Sequence, residues 1–189
     1  GDEVLIPDPS YVSYAPCVTL AGGTPVTVTC TAEDNFKLTP ARLKQKITSR
    51  TKVLILPYPN NPTGAIMTRE DLEAIAEIID GTDIIVISDE IYAELTYEGE
   101  HVSFASIPGL RDRTILLNRF SKAFAMTGWR LGYAAGNAHF IKGMVKIHQY
   151  TMLCAPIMSQ VAGLEALTSG LEDDFEAVRY MVKQYNRRR

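Results

Sequence analysis

The sequence predicts an α/β fold of three layers, with helices on both faces of a mainly parallel sheet. Three observations carry this prediction. The runs Val4–Pro7, Lys52–Pro57, Ile84–Ser88 and Thr114–Leu117 are apolar almost throughout rather than alternating, as expected of strands buried on both faces. Helical patterns and helix-start signals fall between and after these runs, the order expected of a parallel sheet with crossovers. The runs end in Pro-, Asn- or acid-containing turns, such as Pro57-Tyr-Pro-Asn-Asn-Pro-Thr-Gly64, which punctuate the chain where strands stop.

Taken in order, the first strand, Val4–Pro7, leads into a rigid loop, Pro7-Asp-Pro-Ser-Tyr11, with aromatics at Tyr11 and Tyr14. Thr24–Thr29 is rich in β-branched residues and reads as a second strand. Thr39-Pro40 is a helix start, with Thr as N-cap and Pro in the first position, and a short basic helix follows over Ala41–Ile47. After the third strand, Thr68 caps another helix with acids in its first turn. Leu72, Ile75, Ala76, Ile78 and Ile79 form its apolar face, and Gly81 closes it. The fourth strand ends at Asp89-Glu-Ile-Tyr92, and a loop-rich stretch spans Leu95–Asp112. The fifth strand breaks into Ser121-Lys122, followed by a second apolar, aromatic run, Trp129–Ala135, in which Trp129 is expected in the core. Helices are expected over Ala138–Leu153, Pro156–Leu167 and Glu172–Arg189. No internal repeat or low-complexity segment interrupts the pattern.

The totals bound the function. A chain of 189 residues suffices for one domain with a real core. A formal net charge of -3 and an apolar fraction of 46% are ordinary for a soluble globular protein, and nucleic acid is not an expected partner. No run approaches the ~18 apolar residues of a membrane span, and Gly1-Asp-Glu does not read as a signal peptide. Cys17, Cys30 and Cys154 are scattered outside any CxxC spacing. They are expected to be free buried thiols in a reducing compartment, which points to the cytoplasm. His101, His139 and His148 are too far apart to suggest a metal-ligand motif.

In a parallel sheet, ligands sit outside the carboxyl ends of the strands. Tyr11, Asn61, Asp89, Tyr92 and Lys122 all fall there. Lys122 is the sharpest candidate. An apolar surround of Phe120, Ala123, Phe124, Ala125 and Met126 disfavours an ammonium and makes the amine a better nucleophile, suited to condensing with an aldehyde. Asn61, held extended by Pro62, is either an ordinary turn residue or a donor to a ligand oxygen. Asp89 either caps the next segment or pairs with a protonated ring nitrogen. Tyr92 is a half-buried tyrosine or a partner for a phenolic oxygen, and Tyr11 a loop aromatic or a stacking surface for a flat ring. Ser121 supplies a hydroxyl near the lysine, and Arg130 a guanidinium suited to phosphate, with a structural salt bridge as the rival reading.

Three motifs, Pro59-Asn-Asn-Pro-Thr-Gly64, Ser88-Asp-Glu-Ile-Tyr92 and Phe120-Ser-Lys-Ala-Phe-Ala-Met-Thr-Gly-Trp-Arg-Leu-Gly-Tyr133, resemble in order and spacing those of the class I/II aminotransferases, fold-type I enzymes that use pyridoxal 5′-phosphate (PLP). The opening stretch to Tyr11 matches as well, so the resemblance covers essentially the whole chain. It implies the large-domain fold of that family and a set of roles. Lys122 would form the internal aldimine and shuttle a proton. Asp89 would pair with the pyridinium nitrogen, which keeps the ring an electron sink. Asn61 and Tyr92 would hydrogen-bond the ring oxygen, Ser121 and Arg130 would hold the phosphate, and Tyr11 would stack on the ring. The substrates implied are an amino acid and a 2-oxo acid, converted in two ping-pong halves, and the implied parent is a homodimer.

The same resemblance implies a phosphate-binding turn at a helix N-terminus before this stretch and a C-terminal small domain carrying a carboxylate-binding arginine. Neither has a match in this sequence. Residues 1–189 are therefore expected to be a single PLP-binding core domain without those two parts, weak or inactive by itself. Arg119, three residues before the lysine, departs from the small residue often found there and either crowds the phosphate or adds a contact to it. Two rival functions share the motifs: a PLP-dependent β-eliminating lyase or cyclopropane-carboxylate synthase, and a non-catalytic PLP-binding regulator module.

Overall fold

A computed structural model describes residues 1–189. Six strands form one sheet: β1 (Glu3–Asp8), β2 (Thr24–Thr29), β3 (Thr51–Leu56), β4 (Ile85–Asp89), β5 (Thr114–Arg119) and β6 (Gly132–Ala135), in the spatial order β2-β1-β3-β4-β5-β6. The first five are parallel, and β6 runs antiparallel to β5. Seven helices accompany them: α1 (Tyr14–Leu20), α2 (Pro40–Lys46), α3 (Arg69–Ile79), α4 (Phe120–Ala123), α5 (Ala138–Thr151), α6 (Ile157–Glu172) and α7 (Glu176–Arg188).

The continuous apolar runs are explained by what lies on each face. Side chains alternate across a strand. Leu5, Leu54, Leu56 and Val86 point into the larger core, where they meet Leu43 of α2 and Leu72, Ile75 and Ile79 of α3. The intervening residues Ile6 and Ile55 point the other way, onto Val18 of α1, with Val4, Val53 and Ile87 packed alongside. Both faces are thus apolar, and the three-layer α/β expectation holds.

Helix boundaries follow local chemistry. Thr68 and Asp71 satisfy each other's backbone amides at the start of α3, through bonds of 3.3 and 2.8 Å. Gly81, at φ +67°, supplies the left-handed residue just past its end. The α2 start is as expected, with Pro40 in the first turn and the Thr39 hydroxyl accepting from the Arg42 amide. The later helices are displaced from their expected bounds. Asp174 and Phe175 adopt left-handed φ of 54° and 55°, which breaks the chain between α6 and α7. The Phe175 ring then folds back onto Gly170, where a Cβ would lie 2.4 Å from it. Only a glycine tolerates that approach.

Several sequence expectations are corrected. Tyr14, read as a loop aromatic, opens the short helix α1, whose one buried residue is Val18, too little periodicity to read from the sequence. Trp129 is not core but 45% exposed, in a 3₁₀ turn between α4 and β6. Of the three cysteines only Cys30 is buried, and Cys17 and Cys154 are exposed. The second apolar run becomes β6 only from Gly132 onward, because Arg130 takes a left-handed conformation that turns the chain back along β5.

The helices after β6 leave much apolar surface open. Ile147 and Tyr150 of α5, and Met158, Leu164 and Leu171 of α6, are each two-thirds or more exposed, and so is Leu153 between the helices. The outer edge of β6 is likewise unpaired. No helix is long and apolar enough to cross a membrane.

The β5–β6 pairing is tight at Gly132, where a Cβ would meet the Asn118 carbonyl at 2.9 Å. Backbone cannot yield as a side-chain tip does. Gly132→Ala is expected to destabilise the chain by about 1–3 kcal/mol, whereas Gly143→Ala, which meets nothing within 4 Å, is expected to be neutral or stabilising. Urea unfolding of the two variants checks this.

Candidate active site

The carboxyl ends of β1, β3, β4 and β5 open into one cavity of about 180 Å³. Tyr11, Asn61, Asp89, Tyr92 and Lys122 line it, so the five residues selected at the strand ends converge. Ser121 and Arg130 do not reach this cavity. They line an adjoining, wider groove between β6 and α5.

Each side chain is aimed by its element. α4 is a single turn whose Phe120, Ser121 and Ala123 are buried. Phe120 packs on Phe124 and Tyr133 with ring centroids 5.2 and 6.2 Å apart. With its neighbours pinned inward, Lys122 projects into the cavity, its Nζ 5.6 Å from the centre of the Tyr92 ring. Ser121 is held by the Thr127 hydroxyl, which donates to its carbonyl at 2.9 Å. Arg130 sits at φ 54°, ψ 42°, a conformation uncommon outside glycine, and its Nη1 donates to the Thr127 carbonyl. Tyr11 is partly exposed at the mouth and meets Tyr14 edge-on at 5.7 Å.

Asp89 is the last residue of β4 and is 5% exposed. Its Oδ2 accepts from the Tyr14 hydroxyl at 2.9 Å and its Oδ1 from the Ile91 amide at 3.3 Å. No cation lies within ion-pair distance of it in the chain. A buried carboxylate with two hydrogen bonds and no counter-charge suits a cationic ligand group. The Tyr14 phenol is pushed well above its ordinary ionisation range by burial and by the Asp89 charge. It therefore stays protonated and remains a donor to Asp89.

Sequence reasoning missed two residues here. Tyr14 stood out only as a loop aromatic; its role depends on α1, which brings its hydroxyl from β1 across to the end of β4. Glu90 lay inside a quoted motif without a role. It is 3% exposed and accepts from Ser88 Oγ at 2.8 Å, Ser103 Oγ at 2.8 Å and the Phe104 amide at 3.2 Å. His101 Nε2 lies 2.7 Å from its other oxygen. The two acids do different work: Asp89 faces the cavity, while Glu90 faces away and ties the end of β4 to the loop over 101–104. Two adjacent acids closing an apolar strand were the available signal.

The residues present fit a PLP-type cofactor. The cavity offers a primary amine for an aldehyde, a buried carboxylate lacking a counter-cation for a protonated ring nitrogen, and polar and aromatic side chains around them.

The family described as aminotransferase class I and II matches the chain over residues 1–189. The chain is 47% identical to an aspartate aminotransferase of Pyrococcus abyssi and 44% identical to aromatic-amino-acid aminotransferase 2 of Thermococcus litoralis; each match takes in 100% of this chain and 48% of the relative. Among solved structures, an aromatic aminotransferase from Pyrococcus horikoshii matches with a TM-score of 0.95 and 48% identity, over 100% of this chain and 50% of that one. The chain therefore spans about half the length of the curated relatives it matches.

Glu90→Gln replaces an acceptor that serves several donors with a group carrying an amide, and is expected to cost about 2–3 kcal/mol. The neighbouring exposed Glu94→Gln is expected to change stability by less than ~0.5 kcal/mol. Tyr14→Phe, which removes one hydrogen bond to a buried charge, is expected to cost about 1.5–3 kcal/mol. Denaturant midpoints of the three variants against the unsubstituted chain test this ranking.

Proposed function

Because the chain belongs to the class I and II aminotransferase family, we propose that it is the PLP-binding core of an aminotransferase that moves an amino group from an amino acid to a 2-oxo acid. The observation that carries this reading is the meeting of Lys122, Asp89, Tyr92, Asn61 and Tyr11 in one cavity at the strand ends. PLP, when bound, supplies an aldehyde that condenses with amines and a cationic ring that draws electrons from the substrate α-carbon.

The chain's own residues would do the rest. Lys122 would hold the aldehyde and would take up and return the proton at the substrate α-carbon. Asp89, buried and oriented by Tyr14, favours the protonated ring nitrogen. Asn61 and Tyr92 donate to the ring oxygen, and Tyr11 covers a ring face. Ser121 and Arg130, in the adjoining groove, hold the phosphate.

We further propose that these residues act within a longer parent, as a homodimer in the cytoplasm, and that the chain alone binds PLP weakly. The open apolar faces of α5 and α6, the unpaired edge of β6 and the half-length match to relatives support the longer parent and the dimer. The isolated chain is then expected to bind a hydrophobic dye or self-associate as its concentration rises, read by dye fluorescence and sedimentation. A monodisperse monomer that binds no dye would count against it.

The chain mixed with PLP is expected to show a visible absorption band that disappears in Lys122→Ala. A band that survives the substitution would overturn the assignment of Lys122, and a folded chain with no band would assign cofactor binding to the longer parent rather than to this chain alone. With the full-length parent, a new amino acid as product supports transfer. Pyruvate and ammonia instead would indicate elimination.

A further inference from the structure

Arg119 is the last residue of β5, three residues before Lys122. Its backbone amide bonds to Asn118, but its guanidinium makes no hydrogen bond and no ion pair. Its stem lies against β6. Arg119 pairs with Gly132 across β5 and β6, and a Cβ on Gly132 would sit 3.0 Å from Arg119 Cγ. The missing side chain at Gly132 is what lets the arginine lie across the β6 backbone. Arg119 lines the cavity alongside Tyr14 and Asp89.

The position of this free cation is specific. Arg119 is the one residue that lines both the cavity of Lys122 and Asp89 and the groove of Ser121 and Arg130. Asp89 is the only acid of the cavity, and the groove has none. Lys122, Arg119 and Arg130 thus outnumber the single carboxylate by two positive charges, and none of the three is ion-paired. A phosphomonoester carries about two negative charges near neutral pH, and a guanidinium presents a planar fork of donors matched to its oxygens.

We propose that Arg119 is a phosphate-binding residue, gripping the cofactor phosphomonoester together with Ser121 and Arg130. This rests on the cofactor reading above and extends it: the phosphate lies at the junction of cavity and groove, and the arginine before the lysine adds a contact rather than crowding it.

The test compares PLP with pyridoxal, which lacks the phosphate, by titrating the chain and its Arg119→Gln, Arg119→Lys and Lys122→Ala variants. Arg119 is exposed, so its variants are expected to fold. Arg119→Gln is expected to weaken PLP binding by about tenfold or more, the worth of one charge-assisted contact, and to leave pyridoxal binding unchanged. Arg119→Lys is expected to recover part of the loss. Unchanged or tighter PLP binding in Arg119→Gln, or equal losses for the two compounds, would overturn the proposal. If pyridoxal gives a Lys122-dependent band and PLP binds no better, the phosphate assignment fails while the cofactor reading stands. If neither compound gives such a band, the reading of this chain as binding the cofactor by itself falls, and this assignment with it.

Discussion

Asp89 is a carboxylate placed where carboxylates are expensive, at the end of an apolar strand in the middle of a sheet, with one face of the site open and no cation of the chain within ion-pair distance. Burial of an ionised group is tolerated only when hydrogen bonds or an opposite charge offset the lost hydration. Here two hydrogen bonds are supplied, from Tyr14 and from the Ile91 amide. Much of the architecture can be seen as serving that arrangement. β4 lies between β3 and β5, so the carboxylate emerges between Asn61 and Lys122. α1 crosses the face of β1 and delivers the Tyr14 hydroxyl.

The adjacent Glu90 solves the same problem differently. It is surrounded by donors within the chain and is spent on structure, closing the loop over 101–104 against the end of β4. One buried acid is thus satisfied internally and the next is left electrostatically incomplete. That difference separates a structural carboxylate from one held ready for a ligand. Around Asp89 the balance runs the other way, with lysine and arginine charges outnumbering acids. The site therefore presents two complementary deficits, a missing cation at Asp89 and a missing anion near Arg119, and a ligand that is cationic at one end and anionic at the other answers both.

The two halves of the chain are built unequally. The larger core draws on the residues from Leu5 to Leu110, with sheet and helices α2 and α3 closed on each other. The helices after β6 bury little: α5 has no buried residue, and in α6 those buried are Ser159, Gly163 and Gly170 rather than large apolar side chains. Helices hold together in water chiefly by packing an apolar face. The exposed leucines, methionines and tyrosines of α5 and α6 therefore mark the region of the chain most dependent on further contacts.

The sheet and the residues along its edge were legible in the amino-acid order, because burial on two faces demands continuous apolar runs and because strand ends are marked by Pro, Asn and acid. Capping chemistry made the start of α3 readable for the same local reason. Lys122, Asp89, Asn61, Tyr92 and Tyr11 could be selected as strand-end residues without knowing which strands were neighbours. What the sequence alone could not determine were features set by distant partners: the short α1, the burial of one cysteine and exposure of two, the exposure of Trp129, the antiparallel return of β6. Tyr14 and Glu90 belong to this group, since their roles rest on hydrogen bonds to residues 75 positions away in one case and up to 14 in the other. The same holds for Arg119, whose free charge becomes meaningful only when Gly132 lays its stem across β6 at the meeting of cavity and groove. Local pattern determined which elements form and which residues stand at their ends; strand order and packing decided which of those residues face one another, because hydrogen bonds and charges act over a few ångströms and are blind to sequence distance.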